Sequence, residues 1–375
     1  MTFALTGARI FDGDHMLEGR AVVVENGRII AIPSEKDLPA GIDRRETKGL
    51  LAPGFIDVQV NGGGGVLFND ERNVEGLRRI AAAHRTFGTI GLLPTFITDT
   101  REKMAEAVAA MRQALAARVP GILGIHVEGP FINPERKGVH NPTYMRPMED
   151  EDIAILTSLS EGRTLVTLAP EKNSLEAIAR LTHAGVLVCA GHTAGRYDEI
   201  MEAYRHGLRG FTHLFNAMPP LAGRDPGPVG AALDSRDTWC GLIVDGHHVD
   251  DASLRVAIAA KGTERMMLVT DAMSVTGTDL DSFELHGRMI YRRDGKLTTA
   301  DGTLAGSDLD MASAVRNAVH RLGLPLRDVL RMASLAPAAF LRLDRELGRI
   351  APGYRASLVL LDDALEVRQT WIDGE

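Results

Sequence analysis

The chain has 375 residues, of which 45% are hydrophobic and 25% charged, a balance that fits a soluble globular protein and excludes a disordered or membranous one. A formal net charge of -8 provides no global basic field, so nucleic-acid binding by neutralisation of phosphates is excluded and an anionic small molecule would need a local basic pocket. No run of about 18 apolar residues occurs and the N-terminus has no basic stretch leading into an apolar one, so no membrane association and a cytoplasmic location are expected.

Residues 2 to 50 alternate β-rich segments with Gly and Asn turns, first Phe3 to Phe11 and then Arg20 to Ile32, where Asn26-Gly27 is a hairpin signal. The last thirty residues have the same texture, with Gly348 to Asp362 followed by Glu366 to Ile372. Neither end is long enough to bury a β core alone. The expectation is therefore one small β-sandwich domain made from both termini, residues 1–51 and 345–375, beside a main domain of residues 52–344.

Between the ends, eight short apolar runs begin at Phe55, Thr89, Gly121, Thr164, Val186, Gly210, Trp239 and Met266. Helical patterns separate most of them: Asn73 to Phe87, Arg101 to Arg118, Glu149 to Leu159, Ser174 to His183, Arg196 to His206 and Asp250 to Lys261. This predicts an α/β fold, a TIM-like (β/α)8 barrel with its active site beyond the C-terminal ends of the strands, the alternative being a doubly wound open sheet. Polar residues collecting at one end of the runs favour the barrel: Gln59, Glu128, His192, His213, His247, His248 and Asp271.

Leu187 to Met218 carries the densest chemistry. Two apolar runs there each end in a histidine, His192 and His213, with one amphipathic helix between them. A barrel would bring both imidazoles to one point and aim Glu128, at the end of the third run, at the same place. One glutamate and two histidines form an established hydrolytic zinc set. His126 is assigned the opposite strand parity and read as core. Cys189 and Cys240 lie inside apolar runs and are read as reduced core thiols, and Gly62 to Gly65 lacks a following Lys-Ser/Thr and is read as a flexible turn.

Seven motifs in order make the chain resemble the N-acetylglucosamine-6-phosphate deacetylases, a family of the amidohydrolase superfamily. They are Pro53-Gly-Phe-Ile-Asp-Val-Gln-Val-Asn-Gly62, His126-Val-Glu-Gly-Pro-Phe131, Lys137-Gly-Val-His-Asn141, Gly191-His-Thr193, Thr212-His-Leu-Phe-Asn-Ala-Met218, Asp245-Gly-His-His-Val249 and Thr270-Asp-Ala-Met273. The resemblance implies deacetylation of a phosphorylated N-acetyl amino sugar. Glu128, His192 and His213 match the metal ligands, Asp271 the catalytic carboxylate, and His140 the group beside the acyl carbonyl. Asn216, Ala217, Arg224 and His248 match positions that hold the sugar phosphate, with Arg224 expected to reach into the neighbouring subunit of a homodimer. Many amidohydrolases carry His-X-His after the first strand and bind two metals, whereas this chain has Gln59-Val-Asn61, poor ligands for a divalent ion. One divalent ion per subunit is expected, Zn²⁺ ahead of Fe²⁺. A second departure, Ala356-Ser-Leu-Val359 where superfamily members often read Ala-Asp-Leu-Val, lies away from the chemistry. The readings set against this one are an amidohydrolase acting on the galacto epimer, an N-acyl amino acid or a cyclic substrate, and an inactive binding protein on the same fold.

Overall fold

A computed structural model describes residues 2–375, so Met1 of the expected N-terminal segment lies outside it. Eight parallel strands follow one another in sequence order: β1 (Phe55–Val60), β2 (Thr89–Ile97), β3 (Gly124–Glu128), β4 (Arg163–Leu168), β5 (Leu187–Ala190), β6 (Gly210–Phe211), β7 (Trp239–Leu242) and β8 (Met266–Leu268). The ring closes just past β8, where Val60 bridges Ala272 in parallel and the Asp271 N–H donates to the Gln59 carbonyl at 3.0 Å. Closure of the barrel and placement of Asp271 are thus one feature.

Helices cover the outside: α1 (Val74–Arg85), α2 (Arg101–Ala116), α3 (Asp150–Leu156), α4 (Leu175–His183), α5 (Tyr197–Arg205), α6 (Gly227–Asp234), α7 (Asp251–Lys261) and α8 (Met311–His320). Their starts follow capping chemistry. The side chains of Asn73, Thr100, Ser174 and Asp250 each accept from a backbone N–H in the first turn, satisfying donors the helix itself cannot. α3 is shorter than expected from the sequence and stops before Thr157, whose hydroxyl donates to the Ile153 carbonyl.

The terminal segments pair with each other. Leu358–Leu361 runs antiparallel to Leu50–Pro53 in a five-stranded sheet that also holds Val367–Trp371, Arg9–Phe11 and Met16–Leu17. A four-stranded sheet carries Thr2–Thr6 between Val22–Glu25 and Asp43–Glu46, with Arg28–Ala31 at its edge. Phe3, Leu5, Val24, Leu51, Leu358 and Trp371 share one buried cluster between them. Phe3 to Phe11 is not one strand. Gly7 has φ +87°, and a Cβ there would stand 2.8 Å from the Thr47 carbonyl oxygen, so the chain turns and its halves enter different sheets.

The sequence reading did not anticipate a four-stranded antiparallel sheet between β8 and α8, made of Ser282–Leu285, Arg288–Arg293, Lys296–Thr298 and Leu304–Ser307. Nor is Gly62 to Gly65 a flexible turn: Gly62–Gly63 pairs with Val66–Leu67, and Gly64 and Gly65 donate to the carbonyls of Thr276 and Ser274. A Cβ on Gly62 would fall 2.2 Å from the Val66 carbonyl oxygen, so glycine is required by closeness of backbone there.

Candidate active site

A cavity of about 200 Å³ opens at the C-terminal mouth of the barrel, lined among others by Glu128, His140, His192, His213, His248 and Asp271. Asn216 and Ala217 also line it. Arg224 does not. It sits in the exposed loop before α6, so within one chain it is not brought to the other candidates.

Glu128 ends β3, and its Oε1 stands 3.0 Å from Nε2 of His192 and 2.9 Å from Nε2 of His213, which are themselves 3.2 Å apart. All three side chains are buried. Nδ1 of His192 lies 2.7 Å from the Arg136 carbonyl, which can only accept, so Nδ1 carries a hydrogen and Nε2 is the ring nitrogen turned toward Glu128. Lone pairs converging on one buried point repel unless positive charge lies among them. Burial pulls the His213 imidazole down, yet the Glu128 carboxylate outweighs it and leaves His213 above its ordinary value. Burial likewise pushes Glu128 up, and the bonds from His192 and His213 carry it well below the carboxylate range. Ligand atoms converge there as they would around a cation. A carboxylate and two imidazoles suit a zinc-like ion. His140 borders the same point, since ligand atoms of Glu128, His140 and His192 also lie within 4.8 Å of one another.

Site residues adopt unusual backbone conformations. His192, His213, Ala217 and Asp271 have φ of 48°, 32°, 53° and 55°, the left-handed region that side chains with a Cβ avoid. Such strain persists where surrounding bonds over-determine it and tends to gather at functional sites. At Asp271 those bonds run to the end of β1: Asn61 Nδ2 donates to Oδ1 at 2.6 Å and to the Asp271 carbonyl at 3.2 Å, and Gln59 Nε2 donates to the same Oδ1 at 3.1 Å. Gln59 Nε2 also donates to Oε2 of Glu128 at 3.1 Å. Burial, then the charge of Glu128, raises Asp271 above the usual carboxylate value.

Three further residues support the mouth. Asp245 accepts from the backbone N–H of His247 and His248 and holds Nδ1 of His248 at 2.6 Å, which turns the other edge of that ring to the cavity. Nδ1 of His140 lies 2.8 Å from the Thr98 hydroxyl, and burial keeps this imidazole neutral, well below its ordinary value. Asp57, wholly buried on β1, accepts from the Thr270 hydroxyl at 2.5 Å and from the N–H of Gln59 and Thr270.

His126 corrects the parity assigned to it. Residues two apart in a strand share a face, so His126 lies on the same side as Glu128, one layer deeper, bonded to the hydroxyls of Thr95 and Thr167 at 3.2 and 2.7 Å. Burial lowers it to about 4, so it is a neutral ring in a polar layer of the barrel. Cys189 and Cys240 are free and buried, and burial pushes both thiols up. Among the described residues no helix is long and apolar enough to cross a membrane.

Residues 50–375 match the model of the amidohydrolase family, and residues 2–51 match that of the NagA composite domain. The chain belongs to the amidohydrolase family. Several relatives that it matches at 33% to 42% identity are named as deacetylases. This amidohydrolase is 42% identical over 372 residues to an N-acetylgalactosamine-6-phosphate deacetylase of Shewanella sp. (strain ANA-3), covering 98% of this chain and 94% of that one. It is 36% identical over 380 residues to an N-acetylglucosamine-6-phosphate deacetylase of Haemophilus influenzae, covering 100% and 99%. The crystal structure of N-acetylglucosamine-6-phosphate deacetylase from Pasteurella multocida superposes with a TM-score of 0.96 at 37% identity, covering 100% of this chain and 99% of that one. The TIM-like barrel and the resemblance read from the seven motifs are thereby borne out.

Proposed function

We propose that this amidohydrolase converts N-acetyl-D-glucosamine 6-phosphate and water into D-glucosamine 6-phosphate and acetate. The observation that carries the reading is the meeting of Glu128, His192 and His213 at one buried point beside Asp271 in a single cavity. An acetamide is a poor electrophile with a poor leaving group, so the site must activate water, stabilise an oxyanion and protonate nitrogen. Glu128, His192 and His213 would hold one divalent ion, Zn²⁺ ahead of Fe²⁺. His213 is preferred to His140 as the third ligand because its Nε2 directly faces both other donors, while His140 stands beside Thr98. When bound, such an ion lowers the pKa of water and polarises the acyl oxygen.

Asp271 takes a proton from the attacking water and returns it to the departing amine. Its raised proton affinity suits both steps, since a carboxylate nearer neutrality accepts and donates more readily at pH 7. The neutral His140 ring donates to the acyl oxygen as charge grows there, with the Thr98 hydroxyl donating to Nδ1 so that Nε2 carries the hydrogen. Asn216, Ala217 and His248 hold the sugar phosphate, and Arg224 completes that subsite from the other subunit of a homodimer. Residues 52–344 form the catalytic domain and the two terminal segments, 1–51 and 345–375, its β-sandwich companion. The free, buried thiols suit a reducing cytoplasm.

Relatives named for the galacto epimer stand at 42% and 36% identity, beside 36% for the gluco enzyme, so the test compares both. Metal content and acetate release are measured with N-acetylglucosamine 6-phosphate, its galacto epimer and the unphosphorylated sugar. The expected result is one metal per chain and acetate released fastest from N-acetylglucosamine 6-phosphate. Equal turnover of the unphosphorylated sugar, or no acetate at all, overturns the reading.

A further inference from the structure

We propose that the carboxamides of Gln59 and Asn61 are positioning residues that anchor Oδ1 of Asp271 and so reserve its Oδ2 for proton exchange with water and with the leaving amine. The proposal deepens the deacetylation reading and rests on it.

Three amide contacts reach Asp271, and none touches Oδ2. Asn61 Nδ2 donates to Oδ1 and to the backbone carbonyl of Asp271, and Gln59 Nε2 donates to Oδ1. Among the described residues Oδ2 carries no hydrogen bond, and Asp271 lines the cavity. The amide orientations are settled by chemistry, because a carboxamide oxygen turned toward a carboxylate oxygen or a carbonyl would set acceptor against acceptor. The backbone at Asp271 is already fixed in the left-handed region by its N–H on the Gln59 carbonyl and by the Ser307 N–H on its own carbonyl. What remains free is rotation of the carboxylate, and the two amides remove it.

Gln59 does a second thing. Its NH₂ group spans two carboxylates, Oδ1 of Asp271 and Oε2 of Glu128, each at 3.1 Å. It therefore fixes the acid–base group relative to the proposed ligand while adding no charge. Histidines in these two positions would offer lone pairs to a second cation; the carboxamides offer hydrogens to the carboxylates instead. The arrangement has a cost that packing gives no reason to accept: Oδ1 of Asn61 is buried without a partner.

The test uses the metal-loaded protein in three forms, wild type, Asn61→Ala and the equal-sized Asn61→Asp, which replaces a donor by an acceptor. Measured are kcat, KM, metal per chain and the thermal midpoint. In both variants kcat is expected to fall on the order of 10- to 100-fold, as for a misplaced acid–base group, with KM within about threefold. Metal per chain stays at the wild-type level. If the alanine form does not fold, the aspartate form decides alone. The proposal is overturned if kcat stays within about twofold of wild type, or if metal is lost in step with kcat, the mark of a merely structural role. Wild type releasing no acetate sinks the deacetylation reading itself, a different outcome from unaffected variants of an active enzyme.

Discussion

Nε2 of His192 and Nε2 of His213 lie 3.2 Å apart, and both face the single oxygen Oε1 of Glu128. Two imidazoles and a carboxylate brought this close in a buried site need positive charge among them, either a bound cation or the proton that Glu128 favours on the His213 ring. Glu128→Gln keeps the volume and removes the charge. Zn²⁺ affinity, read by competition with a chelating dye, should fall by more than the roughly 100-fold that loss of an outer-shell partner costs. Unchanged affinity would assign the ion to other donors, with His140 the first candidate.

Asp271→Asn retains the size of the side chain and abolishes its capacity to take a proton. The neighbouring ligand set is untouched, so metal per chain should equal wild type while kcat drops by about 10² to 10⁴. A variant that keeps its activity would remove Asp271 from the proton path.

Much of the site was legible because strand ends in an α/β barrel are marked by an apolar run stopping at a polar residue. Glu128, His192, His213 and Asp271 each obey that pattern, and the structure gathers them at one mouth. Other features depend on relations a linear pattern does not carry. Gln59 and Asn61 were informative only as absent ligands, because their partners Glu128 and Asp271 lie far along the chain. A reading by apolar runs sets His126 on the opposite face, although a two-residue spacing from Glu128 determines its side. The extra sheet after β8 did leave a trace. Asp294-Gly295, both at positive φ, joins two strands by the same turn chemistry as Asn26-Gly27, where the hairpin was recognised.

Asp57 should make stability fall as pH rises toward neutrality. Burial pushes its carboxyl up to about 7, against bonds from Thr270 and Gln59 that favour the anion. A carboxyl whose folded pKa exceeds its unfolded value of about 3.9 keeps its proton longer in the native state. Native protein thus binds more protons than unfolded protein between about pH 4 and 7, and stability from this group is lost across that window as pH rises. Asp57→Asn removes the titration, keeps one oxygen to accept from the N–H groups of Gln59 and Thr270, and replaces the oxygen that accepts from the Thr270 hydroxyl by an NH₂ that can donate to it. Thermal midpoints measured from pH 5 to pH 8 should slope less in the variant than in wild type; parallel profiles would show that Asp57 does not titrate there.

Asp152 works in the opposite direction and ties the His140 loop to the barrel. Its carboxylate, with no exposure, meets Arg101 of α2 at 2.8 Å and Arg146 at 2.5 Å, and Arg146 ends the stretch that carries His140. Burial pushes Asp152 up, but the two guanidinium groups overcome it and hold the carboxyl below its ordinary value. A depressed pKa contributes stability that is present above about pH 3.9 and lost as acid carries the pH down through the folded value. Asp152→Ala should therefore destabilise at pH 7 by up to about 3 kcal/mol, the lower end for a broken buried pair, because the arginines keep part of their hydration. The difference from wild type should begin to shrink as the pH falls below about 4, where the unfolded chain takes up the proton that the native carboxylate still excludes, and should reach its minimum only below the depressed folded value. Denaturant unfolding at pH 7 and in steps from about pH 4 downward through the folded value measures both, and a gap that stays the same size down the whole series would locate the effect in packing and not in charge.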